Sequence, residues 1–217
     1  MTCSPAAPGR RGWRDRHREV GDIMQKTIEN LTKAFIGESQ ARNRYTFYAS
    51  TARKEGYEQI AEIFEITAMN ENEHGEWFYK MLNQAIEKSG KKIDPMVVEA
   101  EAPIMWKTTA DNLKAAIAGE HMENSTLYPA FADQAQKDGF PAFAARIRSI
   151  GKAEVHHEER YKSLLKELEG GTLFKKTEPV WWFCRKCGYI HFGIEPPKKC
   201  PSCDHERSYY QVRSEQY

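Results

Sequence analysis

The sequence predicts a mainly α-helical protein, a four-helix bundle followed by a small metal-stapled domain. Two observations carry this. Four long segments repeat their apolar residues at steps of three and four, the helical period. After them the composition shifts to tryptophan, proline and four clustered cysteines, in a stretch too short to fold on an apolar core alone. The boundaries follow: 1–23 a tail, 24–169 the bundle, 170–180 a linker and 181–217 the cysteine domain.

The tail is unlike the rest. It carries Arg10, Arg11, Arg14, Arg16 and Arg18 but no apolar run, so it is not a signal peptide. It is expected to be disordered, or to precede a natural start at Met24, and Cys3 within it to be a free thiol. Over the whole chain 32 basic residues balance 31 acidic ones, so no net charge recruits nucleic acid or an anionic membrane. No apolar run reaches the roughly 18 residues a membrane span needs.

Each helix has its punctuation. Gly56 separates the first from the second, and Ser89 and Gly90 end the second. The third starts near Thr108, with Asp111 as a capping-box partner. Gly139 and Pro141 divide the third from the fourth, and Gly170 and Gly171 end it. The first two helices are tightly joined, as are the last two, while a long stretch from Ser89 to Lys107 connects the halves. Two hairpins and one long crossover is the connectivity of ferritin-like bundles.

The inward faces carry the chemistry. Helix one reads Leu31, Ala34, Phe35, Glu38, Ala41, Tyr45, Tyr48, Ala49. Helix two reads Ile60, Phe64, Thr67, Glu71, His74, Phe78, Met81. Helix three reads Leu113, Ala116, Glu120, Glu123, Leu127, Ala130, and helix four Phe143, Ile147, Ile150, Glu154, His157, Tyr161, Leu164. A single glutamate on one helix would be read as a solvated face. Five glutamates and two histidines at matching depth on four apolar stripes cannot be, because buried carboxylates repel and desolvate unless a cation compensates. Two divalent ions neutralise four of the five negative charges, whereas one ion neutralises only two.

Spacing gives an independent check. Glu71 and His74 form E-x-x-H, and Glu154 and His157 form it again 83 residues later. Glu38 and Glu120 are 82 apart, Tyr45 and Tyr128 83 apart. The offsets point to two related hairpins, each supplying half of one site. One glutamate from each of two helices plus E-x-x-H from the others is the ligand set already described for ferritin-like di-iron proteins. Glu123 breaks the symmetry, since its counterpart in the first half is Ala41; the extra carboxylate suggests a ligand exchange on redox change.

The cysteines form two C-x-x-C pairs, Cys184 with Cys187 and Cys200 with Cys203, a strong signal for a tetrahedral four-sulfur metal site. Softness alone leaves zinc or iron. The aromatic Trp182, Phe183 and Tyr189, and the need of a nearby di-iron site for an electron source, favour iron. Metal-binding thiolates must stay reduced, so the cytoplasm is the expected compartment.

These residues resemble the rubrerythrin family over nearly all of 24–217. The resemblance is carried by Gly37-Glu38-Ser39-Gln40-Ala41-Arg42, Glu71-Asn72-Glu73-His74, Gly119-Glu120-His121-Met122-Glu123, Glu154-Val155-His156-His157 and the rubredoxin-like C-x-x-C-G-Y…C-P-x-C. It implies a ferritin-like di-iron domain fused to a small rubredoxin-like β domain. It implies that Glu71 and Glu154 bridge two irons, that Glu38 is terminal on one, and that Glu120 and His157 complete the other. The first iron would take Glu123 when oxidised and His74 when reduced, with Tyr45 and Tyr128 behind the ligands. Cys184, Cys187, Cys200 and Cys203 would hold a third iron.

The implied activity is reduction of hydrogen peroxide to water in oxidative-stress protection. Electrons would come through rubredoxin or an NADH-linked rubredoxin reductase, because the chain has no Gly-rich dinucleotide fingerprint of its own. The competing readings are a ferroxidase or iron store and a regulatory zinc-ribbon protein. Storage has no evident need for a one-electron relay, and a zinc ribbon none for the buried carboxylates. Helix four runs roughly 17 Å beyond His157, and an extended linker adds roughly another 30 Å. Such a linker would place the cysteine domain beyond the end of its own bundle, which favours the head-to-tail homodimer with cross-subunit transfer that the resemblance also implies.

Overall fold

The structure is a computed structural model that describes residues 11–90, 92 and 95–214, with side chains from Met24 onward. The expectation for Cys3 lies outside the described residues, as does that for the rest of 1–10. Helix α1 spans Arg11–Lys54, so its backbone begins upstream of Met24. It is followed by α2 (Glu58–Ser89), α3 (Thr109–Met122), a π-helical turn (Glu123–Leu127), α4 (Tyr128–Lys137) and α5 (Pro141–Glu169). Then come β1 (Val180–Cys184), β2 (Ile190–Gly193), a 3₁₀ turn (Arg207–Tyr209) and β3 (Tyr210–Val212).

Helices α1 and α2 pair as one hairpin, and the α3–π–α4 rod pairs with α5 as the other. Several helix ends coincide with the punctuation in the sequence, although α1 begins at Arg11 rather than at the expected Met24. Gly90 caps α2 in the left-handed region at φ 67°. Thr108 caps α3, its hydroxyl accepting from the Asp111 N–H at 3.2 Å and satisfying a donor that the helix itself cannot. Pro141 opens α5, where a missing N–H costs nothing.

The third rod departs from expectation. A continuous helix would bury Leu127 and Ala130, but Leu127 is 37% exposed and Ala130 is also exposed. Instead Tyr128, Ala132 and Ala135 face the core. The π turn is the reason: it inserts one residue into the helical count and rotates everything after Glu123 by about a quarter turn.

Apolar packing divides into two clusters. One holds Ile28, Leu31, Ala34, Phe78, Tyr128 and Ile150, among others. The second holds Ala41, Tyr45, Ala68, Ala116 and Tyr161. Along each helix the glutamates and histidines fall between the two, so dry side chains close the polar layer from both ends.

The cysteine domain is a three-stranded antiparallel sheet of order β2-β1-β3. Its linker is not extended. Leu173 is 8% exposed and joins the second apolar cluster, Phe174 stacks on Tyr57 with ring centroids 6.4 Å apart, and the Lys176 N–H bonds Ile194 O at 2.8 Å. Arg185, next to Cys184, pairs with Glu62 of α2. The domain therefore packs against the α1–α2 end of its own bundle, because two apolar linker residues gain more by burial than by extension into water. Among the described residues no helix is long and apolar enough to cross a membrane.

Candidate metal centres

The bundle brings Glu38, Glu71, His74, Glu120, Glu154 and His157 together. They form two overlapping groups, Glu38–Glu71–His74–Glu154 and Glu71–Glu120–Glu154–His157, each with ligand atoms within 4.8 Å of one another. Glu71 and Glu154 belong to both. The histidines enter from α2 and α5, each one helical step past its glutamate. His74 Nδ1 lies 3.0 Å from Glu71 Oε2 and 2.9 Å from Glu154 Oε1. His157 Nδ1 lies 2.8 Å from Glu154 Oε2, 3.2 Å from Glu71 Oε1 and 3.3 Å from Glu120 Oε2.

Tyrosines lock the outer glutamates across the halves. The Tyr45 hydroxyl donates to Glu120, and the Tyr128 hydroxyl donates to Glu38. Each bond occupies one carboxylate oxygen and leaves the other facing inward. Glu123 belongs to neither group. It opens the π turn on the edge of the layer, beside Gly37 and Arg44 on the wall of a cavity.

Protein groups alone do not satisfy this layer. Glu38 Oε2, Glu71 Oε1, Glu120 Oε2, both Glu154 oxygens and His157 Nδ1 are buried without a well-formed hydrogen bond. Burial, with Glu71, Glu154 and Glu123 nearby, pushes Glu38 well above the carboxylate range. Burial likewise raises Glu120, to about 8, and raises Glu123 strongly with help from Glu120 and Glu154. Burial opposes a proton on the histidines, but bonds to Glu154 and Glu71 raise His74 to about 9. The close carboxylates of Glu120, Glu154 and Glu71 raise His157 to about 12. Without metal the layer gathers protons, which is what a site built for added positive charge must do.

The second centre is smaller. Cys184, Cys187, Cys200 and Cys203 converge within 4.8 Å, with Cys184–Cys203 sulfurs 3.8 Å apart and Cys187–Cys200 3.6 Å apart. Two matching turns deliver them. The Gly188 N–H bonds Cys184 O at 2.8 Å, and the Asp204 N–H bonds Cys200 O at 2.9 Å. Each turn needs a left-handed residue after its second cysteine, supplied by Gly188 at φ 79° and Asp204 at φ 57°. The His205 N–H favours a thiolate at Cys203, yet burial and the sulfurs of Cys187, Cys200 and Cys184 push that thiol up to about 12. Four thiolates thus need a cation. Trp182 is fully buried beside Cys184 and Cys200, while Tyr189 is 37% exposed and Cys187 is exposed.

Every residue that the sequence marks for the two centres is found at one or beside it, with Glu123 at the edge. Sequence reasoning missed the π turn that Glu123 opens. Pro129, the second residue after the turn, is its local sign.

Known proteins bear on both centres. The family model described as Rubrerythrin matches residues 29–165, and that described as Rubrerythrin, rubredoxin-like domain matches 182–211. A putative rubrerythrin of Methanocaldococcus jannaschii is 56% identical, covering 89% of this chain and 96% of that protein. A rubrerythrin of Clostridium perfringens is 50% identical, covering 88% and 96%. Among solved structures, fully reduced (all-ferrous) nigerythrin is similar at 34% identity and a TM-score of 0.55, over 86% of each chain. A bacterioferritin of Desulfovibrio desulfuricans, 18% identical with a TM-score of 0.60 over 70% of this chain and 84% of that one, shares the fold. With both domains matched, a carboxylate–histidine di-iron site in the bundle and a rubredoxin-like cysteine cluster after it, the chain belongs to the rubrerythrin family.

Proposed function

We propose that this oxidoreductase is a non-haem di-iron peroxidase that reduces hydrogen peroxide to water in oxidative-stress protection. The observation that carries the reading is the joining, in one chain, of a buried two-metal layer to a four-sulfur centre suited to one-electron relay. A ferroxidase or iron store would use the first and leave the second without a task. Two ferrous ions, when bound, supply the two electrons that cleaving one O–O bond requires.

The residues have distinct roles. Glu71 and Glu154 would hold both metals, because each reaches both groups. Glu38 is terminal on one side, and Glu120 with His157 on the other. His74 and Glu123 would alternate as the ligand on the first side as the redox state changes. His74 lies inside its ligand group and Glu123 outside it. Tyr45 and Tyr128 hold protons against Glu120 and Glu38 and fix their free oxygens. The two apolar clusters keep bulk water from the layer.

Cys184, Cys187, Cys200 and Cys203 hold the relay iron. Its donor is rubredoxin or an NADH-linked rubredoxin reductase in the cytoplasm. The protein works as a homodimer with transfer between subunits, as the family resemblance implies. A route within one chain has its own support. Arg185 pairs with Glu62, which lies about 13 Å along α2 from Glu71.

These assignments make three measurements decisive. The first is proton release on metal binding. His157, His74 and Glu120, raised to about 12, 9 and 8, carry protons at pH 7 that metal must displace. Affinity of the bundle for a divalent ion should therefore rise with pH through about 8 and 9. Calorimetry in buffers of different ionisation enthalpy should show net proton release at pH 7; metal uptake without it would contradict the ligand assignment. The second is anaerobic stopped-flow of the reduced protein with hydrogen peroxide. The wild type should oxidise rapidly, and Glu123→Ala should turn over about ten-fold or more slowly with both bundle irons and the cysteine spectrum retained. Equal rates and an unchanged diferric spectrum would remove Glu123 from the exchange. The third is subunit mixing. One variant carries Cys184→Ser and Cys187→Ser, the other Glu71→Ala and Glu154→Ala. Verified mixed dimers should regain part of the donor-linked rate; inactivity, with each variant's remaining metals in place, would assign transfer to the route within one chain.

A further inference from the structure

The cavity beside the bundle layer offers more than hydrogen peroxide can use. It measures about 510 Å³ and lies between α1, the π turn and the crossover. Glu123 and Tyr128 stand on its wall, so it borders the reacting layer. Much of the remaining wall is apolar, including Ala34, Met122, Leu127 and Phe131. A two-oxygen molecule with no carbon gains nothing from such a wall.

Two glycines enlarge the space. Gly37 and Gly119 immediately precede Glu38 and Glu120, lie inside α1 and α3, and both line the cavity. Glycine inside a helix costs stability relative to alanine, so a packing reason would be expected. None is present. A Cβ at Gly119 would meet nothing within 4 Å, and one at Gly37 would meet only Glu123 Oε1 at 3.9 Å. What the glycines do is hold open the space beside two ligand glutamates. Arg44, half-buried on the same wall, adds a hydrogen-bond donor near Glu123.

We propose that this cavity binds the alkyl group of small uncharged organic hydroperoxides, and that the protein reduces them to alcohols. The inference rests on the peroxidase reading and widens its substrate class. The alkyl group lies on Met122, Leu127 and Phe131, with the O–O bond turned toward Glu123. The O–O bond breaks, and ROOH with two electrons and two protons gives ROH and water. The two electrons come from the same source in the bundle that serves hydrogen peroxide, and the two protons from solvent.

The test mixes reduced, iron-loaded full-length protein anaerobically with hydrogen peroxide or with tert-butyl hydroperoxide. Wild type should oxidise with both and form one tert-butanol per two electrons. Gly119→Leu, whose side chain fills the cavity, should slow the organic peroxide by about ten-fold more than hydrogen peroxide. Met122→Trp, at a half-exposed position, should do the same if Gly119→Leu folds poorly. A binding readout free of turnover is saturation-transfer NMR of tert-butanol on zinc-loaded protein, with signal in the wild type and loss in the variants. Reaction with hydrogen peroxide alone would overturn this inference and leave the peroxidase reading intact, whereas reaction with neither would end both. Equal slowing of the two peroxides, or no tert-butanol signal in the wild type, would remove the cavity from the assignment.

Discussion

Burial of negative charge is the constraint on which the molecule depends. Glu38, Glu71, Glu120 and Glu154 are each 2% exposed or less, in the middle of a bundle closed by apolar side chains on both sides. Ionised carboxylates at that depth cost several kcal/mol each unless paired. The histidines cannot settle this alone, since a single Nδ1 proton on His157 faces oxygens from three glutamates. Cations resolve it, and the tyrosine bonds, the E-x-x-H steps and the matched depth all serve to present free oxygens to them. The cysteine cluster repeats the logic with sulfur: four thiols within a few ångströms ionise together only around a metal.

The two-fold repeat explains how one chain builds so concentrated a site. Each hairpin supplies a glutamate and an E-x-x-H pair, and each supplies the tyrosine that holds the other half's glutamate. Neither half is complete alone, so docking of the hairpins and assembly of the site are one event. The π turn at Glu123–Leu127 is where the symmetry ends. It begins at Glu123, which lies outside the two ligand groups, and turns Tyr128 inward to Glu38. A π-helical turn thereby begins at the one position where the halves differ in ligand number.

Much of this was legible in the sequence, for physical reasons that differ by element. Helices α1, α2 and α5 could be read because their apolar period is unbroken and their glutamates lie on it. The cysteine site could be read because its ligands are local and the left-handed turn after Cys187 calls for Gly188. The third rod could not, since periodicity presumes a fixed angle per residue and one inserted residue moved the inward face from Leu127 and Ala130 to Tyr128 and Ala132. The linker misled for another reason: reach sets only an upper limit, and burial of Leu173 decided where the chain went. The cavity beside Glu123 has no sequence signature, because Gly37 and Gly119 are far apart in the chain and act through the space they leave.

The central claim is that two irons compensate the buried carboxylates while a third sits among sulfurs. Mössbauer spectroscopy with elemental analysis, on protein matured in iron-replete anaerobic cells, tests it most directly. The account predicts about three irons per chain, with roughly two thirds of the signal from a coupled nitrogen- and oxygen-ligated pair and the rest from a tetrahedral sulfur site. A single iron per chain, confined to the sulfur site after iron loading, would contradict it.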